Sequence, residues 1–173
     1  MRILFIGGTG NISTACSRVL LERGHDLDLL TRGRRQADLP GARWIQADIA
    51  DEAATAAALG TRTWDAVVDF IAFTVDQVER DLRLFAGRCA QYVFISSASV
   101  YTKPLPTPVV ETSPIGNPLW EYSQRKVACE QRLWRAREAG VGVTVVRPSH
   151  TYDTILPLAM AGQLHPMGAS AAM

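Results

Sequence analysis

Cysteine is scarce in this chain. Cys16, Cys89 and Cys129 stand far apart, with no clustered spacing. That leaves no pattern for a metal site, and the three read as buried thiols in a reducing compartment. Cys16 and Cys129 fall on the apolar sides of expected helices. Long hydrophobic runs are missing too. No stretch approaches about 18 unbroken apolar residues, the length a membrane-spanning helix needs. The first apolar run follows Arg2 and leads into a glycine turn, which is not the layout of a secretory signal. A cytoplasmic protein is therefore expected, with no membrane partner. Charge of one sign is also lacking. There are 18 basic and 17 acidic side chains, a net charge of +1. Such a balance argues against broad electrostatic binding of nucleic acid. What remains is 173 residues with 47% hydrophobic content, enough for one domain with a sizeable core.

The informative stretch is the first dozen residues. An apolar strand, Ile3 to Ile6, runs into Gly7, Gly8, Thr9 and Gly10, and a helical pattern starts near Asn11 and Ile12. Strand, glycine turn and helix is the order of a dinucleotide-binding βαβ unit. Gly7 lets the chain turn tightly, Gly8 adds slack, and Gly10 lets the backbone approach a pyrophosphate. The helix N-terminus offers unpaired N–H groups to that charge. Ser13 stands where the common pattern has its last glycine, and it is small enough for close packing. Ile12, Cys16, Val19 and Leu20 form the expected apolar stripe of the helix.

Strands and helices then alternate. A second strand, Leu27 to Thr31, ends in the basic loop Thr31-Arg-Gly-Arg-Arg35. An arginine at this place suits a ribose 2′-phosphate, so Thr31 and Arg32 lean toward the phosphorylated cofactor. Arg34 and Arg35 read equally well as solvated loop, and Asp28 lies inside the strand. The third strand, Arg43 to Ala47, ends at Asp48-Ile49. A helix capped by Asp51 follows to about Leu59. The fourth strand, Trp64 to Ala72, is interrupted by Asp69, which needs donors or an exit to solvent. A helix from Thr74 carries Val75, Val78, Leu82 and Phe85 at helical spacing. The fifth strand, Tyr92 to Ile95, leads into Ser96-Ser-Ala-Ser99. Five prolines between Pro104 and Pro118 impose a loop. A helix from Leu119 to Ala139 and a sixth strand, Val141 to Val146, complete the series. The alternation predicts an α/β fold: a three-layer αβα sandwich with a mostly parallel, Rossmann-type sheet and helices on both faces.

Tyr122 and Lys126 are four apart on the last helix, hence on one face. A lysine charge favours the phenolate, and such a tyrosine exchanges a proton with an alcohol or carbonyl. Ser97, at a strand end, is placed to hydrogen-bond the same substrate oxygen. Lys126 has a second task open to it, holding the nicotinamide ribose.

Taken together, the chain resembles the short-chain dehydrogenase/reductase superfamily, in its extended, epimerase/dehydratase-like branch. The resemblance rests on the glycine turn Gly7 to Ile12, on Ser96-Ser-Ala-Ser-Val-Tyr101, on Tyr122-Ser-Gln-Arg-Lys126, and on Val146-Arg-Pro-Ser-His-Thr-Tyr152. It implies Ser97, Tyr122 and Lys126 as catalytic residues. It implies cofactor contacts at Gly7, Gly8, Thr9, Gly10, Asn11, Ile12, Thr31, Arg32, Asp48, Ile49, Phe70, Ile71, Lys126 and Pro148. It further implies NAD or NADP as cofactor, a nucleotide sugar or related alcohol or carbonyl as substrate, and a homodimer. Trp120 and Trp134 are candidates for the dimer face or for plain core. Residues 1–153 form the expected NAD(P)-binding domain. Residues 154–173 have no convincing period and are expected to be disordered or a remnant of a substrate-binding region. Asp69 and Ile71 depart from the family pattern, and family members usually have about twice this length. The alternative is therefore a non-catalytic nucleotide-binding or interaction module. RNA binding rests on family analogy and the arginine loop, against the near-zero net charge.

Overall fold

The computed structural model describes residues 1–35 and 37–151. Tyr152, Asp153 and the tail 154–173 lie outside the described residues. Six strands and four helices follow in order: β1 (Arg2–Ile6), α1 (Asn11–Glu22), β2 (Asp26–Thr31), β3 (Arg43–Gln46), α2 (Glu52–Leu59), β4 (Trp64–Asp69), α3 (Val75–Phe85), β5 (Cys89–Ile95), α4 (Glu121–Glu138) and β6 (Val143–Val146). A short 3-10 turn spans Ala98–Val100. The strands make one sheet in the order β3-β2-β1-β4-β5-β6, and every pairing is parallel. The order reverses between β1 and β4. At such a switch point the two crossover connections leave in opposite directions and open a crevice at the carboxyl ends of the strands.

The core explains the pattern of apolar residues. On one face Leu4, Ile6, Leu30, Val67, Tyr92 and Phe94 pack under Leu59 of α2, Val78 and Phe85 of α3, and Cys129 and Leu133 of α4. On the other face Ile3, Phe5, Leu27 and Leu29 pack with Leu20 and Leu21 of α1. Helices therefore stand on both faces. Among the described residues, however, α1 is the sole helix of the second face, and Val93 and Ile95 of β5 are half-buried there.

Several expectations need correction. The fourth strand stops at Asp69, because the Asp69 carboxylate draws the next residues into a turn. Its Oδ1 accepts from the N–H groups of Ile71 (2.7 Å) and Ala72 (3.1 Å). The stripe on α1 is also different. Ser13 and Ser17 are its buried residues, while Cys16 and Val19 are exposed. The glycine turn brings the start of this helix close to the sheet, and small side chains fill the narrow gap. Of the three thiols, Cys129 is buried, Cys89 is half-buried and Cys16 is exposed. Among the described residues no helix is long and apolar enough to cross a membrane.

Candidate active site

The glycine turn sits at the switch point. Gly7 has φ +81°, and a Cβ there would come within 2.3 Å of Ile71 Cγ2. Glycine is required on both counts. Gly8 does not supply slack: a Cβ would meet Leu29 Cδ2 at 2.5 Å, so its role is tight packing against β2. Gly10 is open, with Ser13 Oγ its one near neighbour at 3.5 Å. Ser13 does more than fit. Its Oγ accepts from the Gly10 N–H (2.8 Å) and donates to Gly7 O (3.0 Å), tying the turn shut. The Gly10 N–H is thereby taken. The first intrahelical bond is Thr14 N–H to Gly10 O at 2.8 Å. The N–H groups of Asn11, Ile12 and Ser13 therefore precede it and stay available to an anion.

A cleft of about 740 Å³ opens from this turn. It contains Gly7, Thr9, Gly10, Thr31, Arg32, Asp48, Ile49 and Ile71 of the expected contacts. Its size and mixed lining suit a dinucleotide, and the open side of Gly10 gives a phosphate close access to the backbone. Gly8 and Phe70 are turned away from it. Phe70 makes an edge contact with Phe5, with centroids 4.9 Å apart. Four polar lining residues were not expected as contacts: Arg34, Arg35, Gln77 and Arg80. The two loop arginines were legible as charges but not as walls. Gln77 and Arg80 flank the core-facing stripe of α3, and nothing in helical spacing alone marks them. Asp28 is 1% exposed. It is consumed inside the sheet by Trp64 Nε1 at 2.7 Å and Arg43 Nε at 2.8 Å.

Beneath the cleft lies a buried polar chain. Tyr92 Oη stands 2.9 Å from Asp69 Oδ2 and 3.0 Å from Asp81 Oδ2. One phenolic hydrogen cannot serve two carboxylates. Burial first, then the neighbouring Asp69, pushes the Asp81 carboxyl up to about 9, against the pull of Arg80. Asp81 accordingly keeps a proton at neutral pH. Burial and the same two carboxylates raise the Tyr92 phenol well above its ordinary value.

Ser97, Tyr122 and Lys126 converge at the ends of β4 and β5, outside the lining of the cleft. The Ser97 side chain stands close enough to the Tyr122 phenol to influence it and accepts from Ser99 N–H at 3.2 Å. Neighbouring Ser96 is turned inward to Glu130 (2.5 Å), so Ser97, not Ser96, faces the tyrosine. Lys126 is 2% exposed. Its Nζ donates to the carbonyl oxygens of Ala72 and Ile95, both at 2.8 Å. The rings of Phe73 and Phe94 cover it at 4.6 and 4.5 Å. Burial lowers its ammonium to about 8. The expected activation of the tyrosine does not appear in this arrangement. Half-burial raises the Tyr122 phenol, and the nearby Ser97 side chain opposes that. The lysine charge is turned to carbonyls instead. Around Tyr122 stand Phe73 and Trp120, at 5.7 and 4.9 Å between ring centroids. Trp134, the other candidate for a dimer face, is half-buried with Arg137 over its ring. Pro148 is half-buried, and its carbonyl accepts from Ala98 N–H at 2.9 Å.

Comparison with known proteins agrees with this fold. UDP-glucose 4-epimerase of Lactobacillus helveticus is 30% identical over 85% of this chain and 51% of its own length. The chloroplast stem-loop binding protein of 41 kDa b of Arabidopsis thaliana is 28% identical over 89% of this chain and 43% of its own. The chain thus spans about half the length of the curated relatives it matches. Among solved structures, UDP-glucose 4-epimerase from Bifidobacterium longum, in complex with NAD+ and UDP, superposes with a TM-score of 0.74 at 21% identity, covering 85% of this chain and 52% of that one. An epimerase-like protein of Burkholderia cenocepacia gives 0.75 at 20%, covering 96% and 61%. These likenesses show the fold. The model of the NAD dependent epimerase/dehydratase family matches residues 3–153, and the chain belongs to that family.

Proposed function

We propose that this chain is the dinucleotide-binding part of an NAD(P)-dependent, epimerase/dehydratase-like oxidoreductase acting on a nucleotide sugar or a related alcohol or carbonyl. The observation that carries the reading is the cleft rooted in the glycine turn, with Ser97 and Tyr122 brought together at the strand ends beside it. The turn around Gly7, Thr9 and Gly10, with the open N–H groups of Asn11 and Ile12, holds the pyrophosphate. Thr31 and Arg32 take the adenosine ribose, and Asp48 and Ile49 the adenine. Ile71, Lys126 and Pro148 lie toward the nicotinamide end. When bound, the nicotinamide supplies hydride acceptance and donation. Tyr122 moves the proton at the substrate oxygen, and Ser97 hydrogen-bonds that same oxygen. Lys126 fastens the ends of β4 and β5 and sets a positive charge against the Phe73 ring that Tyr122 also touches. Arg32, Arg34 and Arg35 are all exposed on one wall, which favours NADP over NAD.

Titration of the purified chain with NADH and NADPH, followed by nicotinamide fluorescence, tests the cofactor. Binding of neither rejects the reading, and tighter binding of NADH rejects the preference. Tyr122→Phe, assayed on nucleotide sugars and small ketones, should lose turnover while still binding cofactor. A second reading, a non-catalytic nucleotide-binding module, is favoured by the raised Tyr122 phenol and by the engagement of Lys126 with carbonyls. It predicts cofactor binding with no turnover in the unaltered chain. The cytoplasmic location and the homodimer remain part of the proposal, and sedimentation at graded concentrations tests the latter.

A further inference from the structure

Asp69, Tyr92 and Asp81 come from three elements, β4, β5 and α3, and all three are buried. Nothing in the proposed reaction uses them. Their hydrogens do not balance by themselves. Tyr92 Oη lies within hydrogen-bond distance of both Asp69 Oδ2 and Asp81 Oδ2, and a phenol has one hydrogen to give. With both carboxyls ionised, one of these contacts would set two oxygens against each other, out of reach of water. The bridge closes when one carboxyl carries a proton. Asp81 Oδ2–H then donates to Tyr92 Oη, and Tyr92 O–H donates to Asp69 Oδ2. Asp69 is suited to be the ionised end, because its other oxygen accepts from Ile71 and Ala72 N–H. Asp81 is the end raised by burial and by the Asp69 charge, to about 9.

The bridge reaches the cleft at both ends. At the Asp69 end, the turn it folds sets Ile71 against Gly7, where a Cβ would come within 2.3 Å of Ile71 Cγ2. The same turn carries Ala72 O, which accepts from Lys126 Nζ at 2.8 Å, and Phe73, whose ring centroid is 5.7 Å from that of Tyr122. At the Asp81 end, Oδ1 accepts from Nε and Nη2 of Arg80, at 2.9 and 2.7 Å, and Arg80 lines the cleft. We propose that Asp69, Tyr92 and Asp81 are positioning residues of the dinucleotide site: one shared proton closes them into a clamp, the clamp sets the Ile71–Phe73 turn against Gly7 and Tyr122, and the nucleotide binds the state that carries the proton. This inference rests on the dinucleotide reading above. Loss of the proton puts two like charges on one phenol, and their repulsion parts α3 from the end of β4 and loosens the turn. Other charges bear on the clamp. Arg80 of α3 faces Asp81 directly. From α4, Lys126 and Cys129 stand within reach of the Asp69 charge, with Glu130 acting on both. Glu52 of α2 lies within reach of Arg80. Lys126 titrates lower than Asp81, near 8, so the test must separate the two.

The test compares the full chain with Asp81→Asn, whose amide keeps an acceptor for Arg80 and a permanent donor for Tyr92 Oη. NADH and NADPH binding is titrated by fluorescence at pH 7.5 and pH 10, with circular dichroism showing that both proteins stay folded. The ratio of the two dissociation constants should grow about tenfold in favour of Asp81→Asn, because one pH unit above the Asp81 titration about one chain in ten keeps the proton. The Lys126 titration is common to both proteins and cancels in the ratio. A second measurement needs no variant. Carbon-13 NMR of the aspartate carboxyls in the unaltered chain should show one that keeps its proton at pH 7.5, and saturating NADH should move its titration to higher pH. A constant ratio, the absence of a protonated carboxyl, or a titration that NADH leaves in place would each overturn the proposal. If the unaltered chain binds neither nucleotide, the dinucleotide reading fails, and the protonated carboxyl, present or absent, still decides for or against the clamp.

Discussion

Lys126 Nζ donates to the carbonyl oxygen of Ala72 at 2.8 Å, so the helix that carries Tyr122 is fastened to the turn that closes over Gly7. The same ammonium reaches Ile95 O at the end of β5. One buried cation thus ties together the glycine-turn side of the cleft and the Ser97–Tyr122 side. Its cost is desolvation, which lowers the ammonium to about 8.

That lowering has a pH signature. The unfolded chain holds the Lys126 proton up to about 10.4, whereas the folded chain releases it near 8. Between these values the unfolded state binds more protons, so folding stability gained from this group rises with pH. Thermal unfolding of the unaltered chain and of Lys126→Met at pH 7.5 and 10 checks this. The difference between the two should move in favour of the unaltered chain as pH rises.

Asp81 has the opposite sign. Its carboxyl is raised to about 9 in the fold, against about 3.9 unfolded. Between these values the folded state binds more protons, so stability is full at low pH and falls as pH rises through the window. Asp81→Asn mimics the protonated side chain. Its melting temperature relative to the unaltered chain should increase steadily from pH 5 to pH 9. A flat difference would mean that Asp81 is already ionised in the fold.

The three glycines of the turn should separate by function. Gly7→Ala and Gly8→Ala drive a methyl into Ile71 and Leu29 and should each cost about 1–3 kcal/mol of stability. Gly7 costs the more because of its positive φ. Gly10→Ala meets only Ser13 Oγ at 3.5 Å and should leave stability nearly unchanged while weakening dinucleotide binding. Urea unfolding and the fluorescence titration read the two effects separately.

Glu130 is fully buried and accepts from Arg147 Nη2 at 2.7 Å and from Ser96 Oγ. Arg147 in turn donates to Tyr101 Oη and Glu111 O, both at 3.1 Å. Glu130→Ala strands this guanidinium and should cost about 3–5 kcal/mol. Replacing Arg147 as well, in Glu130→Ala/Arg147→Met, should recover part of that loss in the same unfolding assay.

Much of the fold was legible because its signals are local. The glycine turn after an apolar strand, the Asp51 cap, and the alternation of apolar strands with amphipathic helices are short-range consequences of backbone geometry. The Tyr122–Lys126 pair needed only helical spacing. Asp69 was recognisable as a carboxylate in need of donors, and the turn at Ile71 and Ala72 supplies them.

What the sequence determined by itself was therefore the order of elements, the parallel sheet and the residue types of the turn and the Ser97–Tyr122–Lys126 group. Tertiary structure alone decided where the long polar side chains point. Lys126 turned to two carbonyls, Ser13 closed the glycine turn, and Arg80, from the middle of α3, became a wall of the cleft. The reason is physical. Backbone propensities act over a few residues, but a buried polar group must find partners wherever the packed fold brings them. For Lys126 those partners lie 54 and 31 residues away.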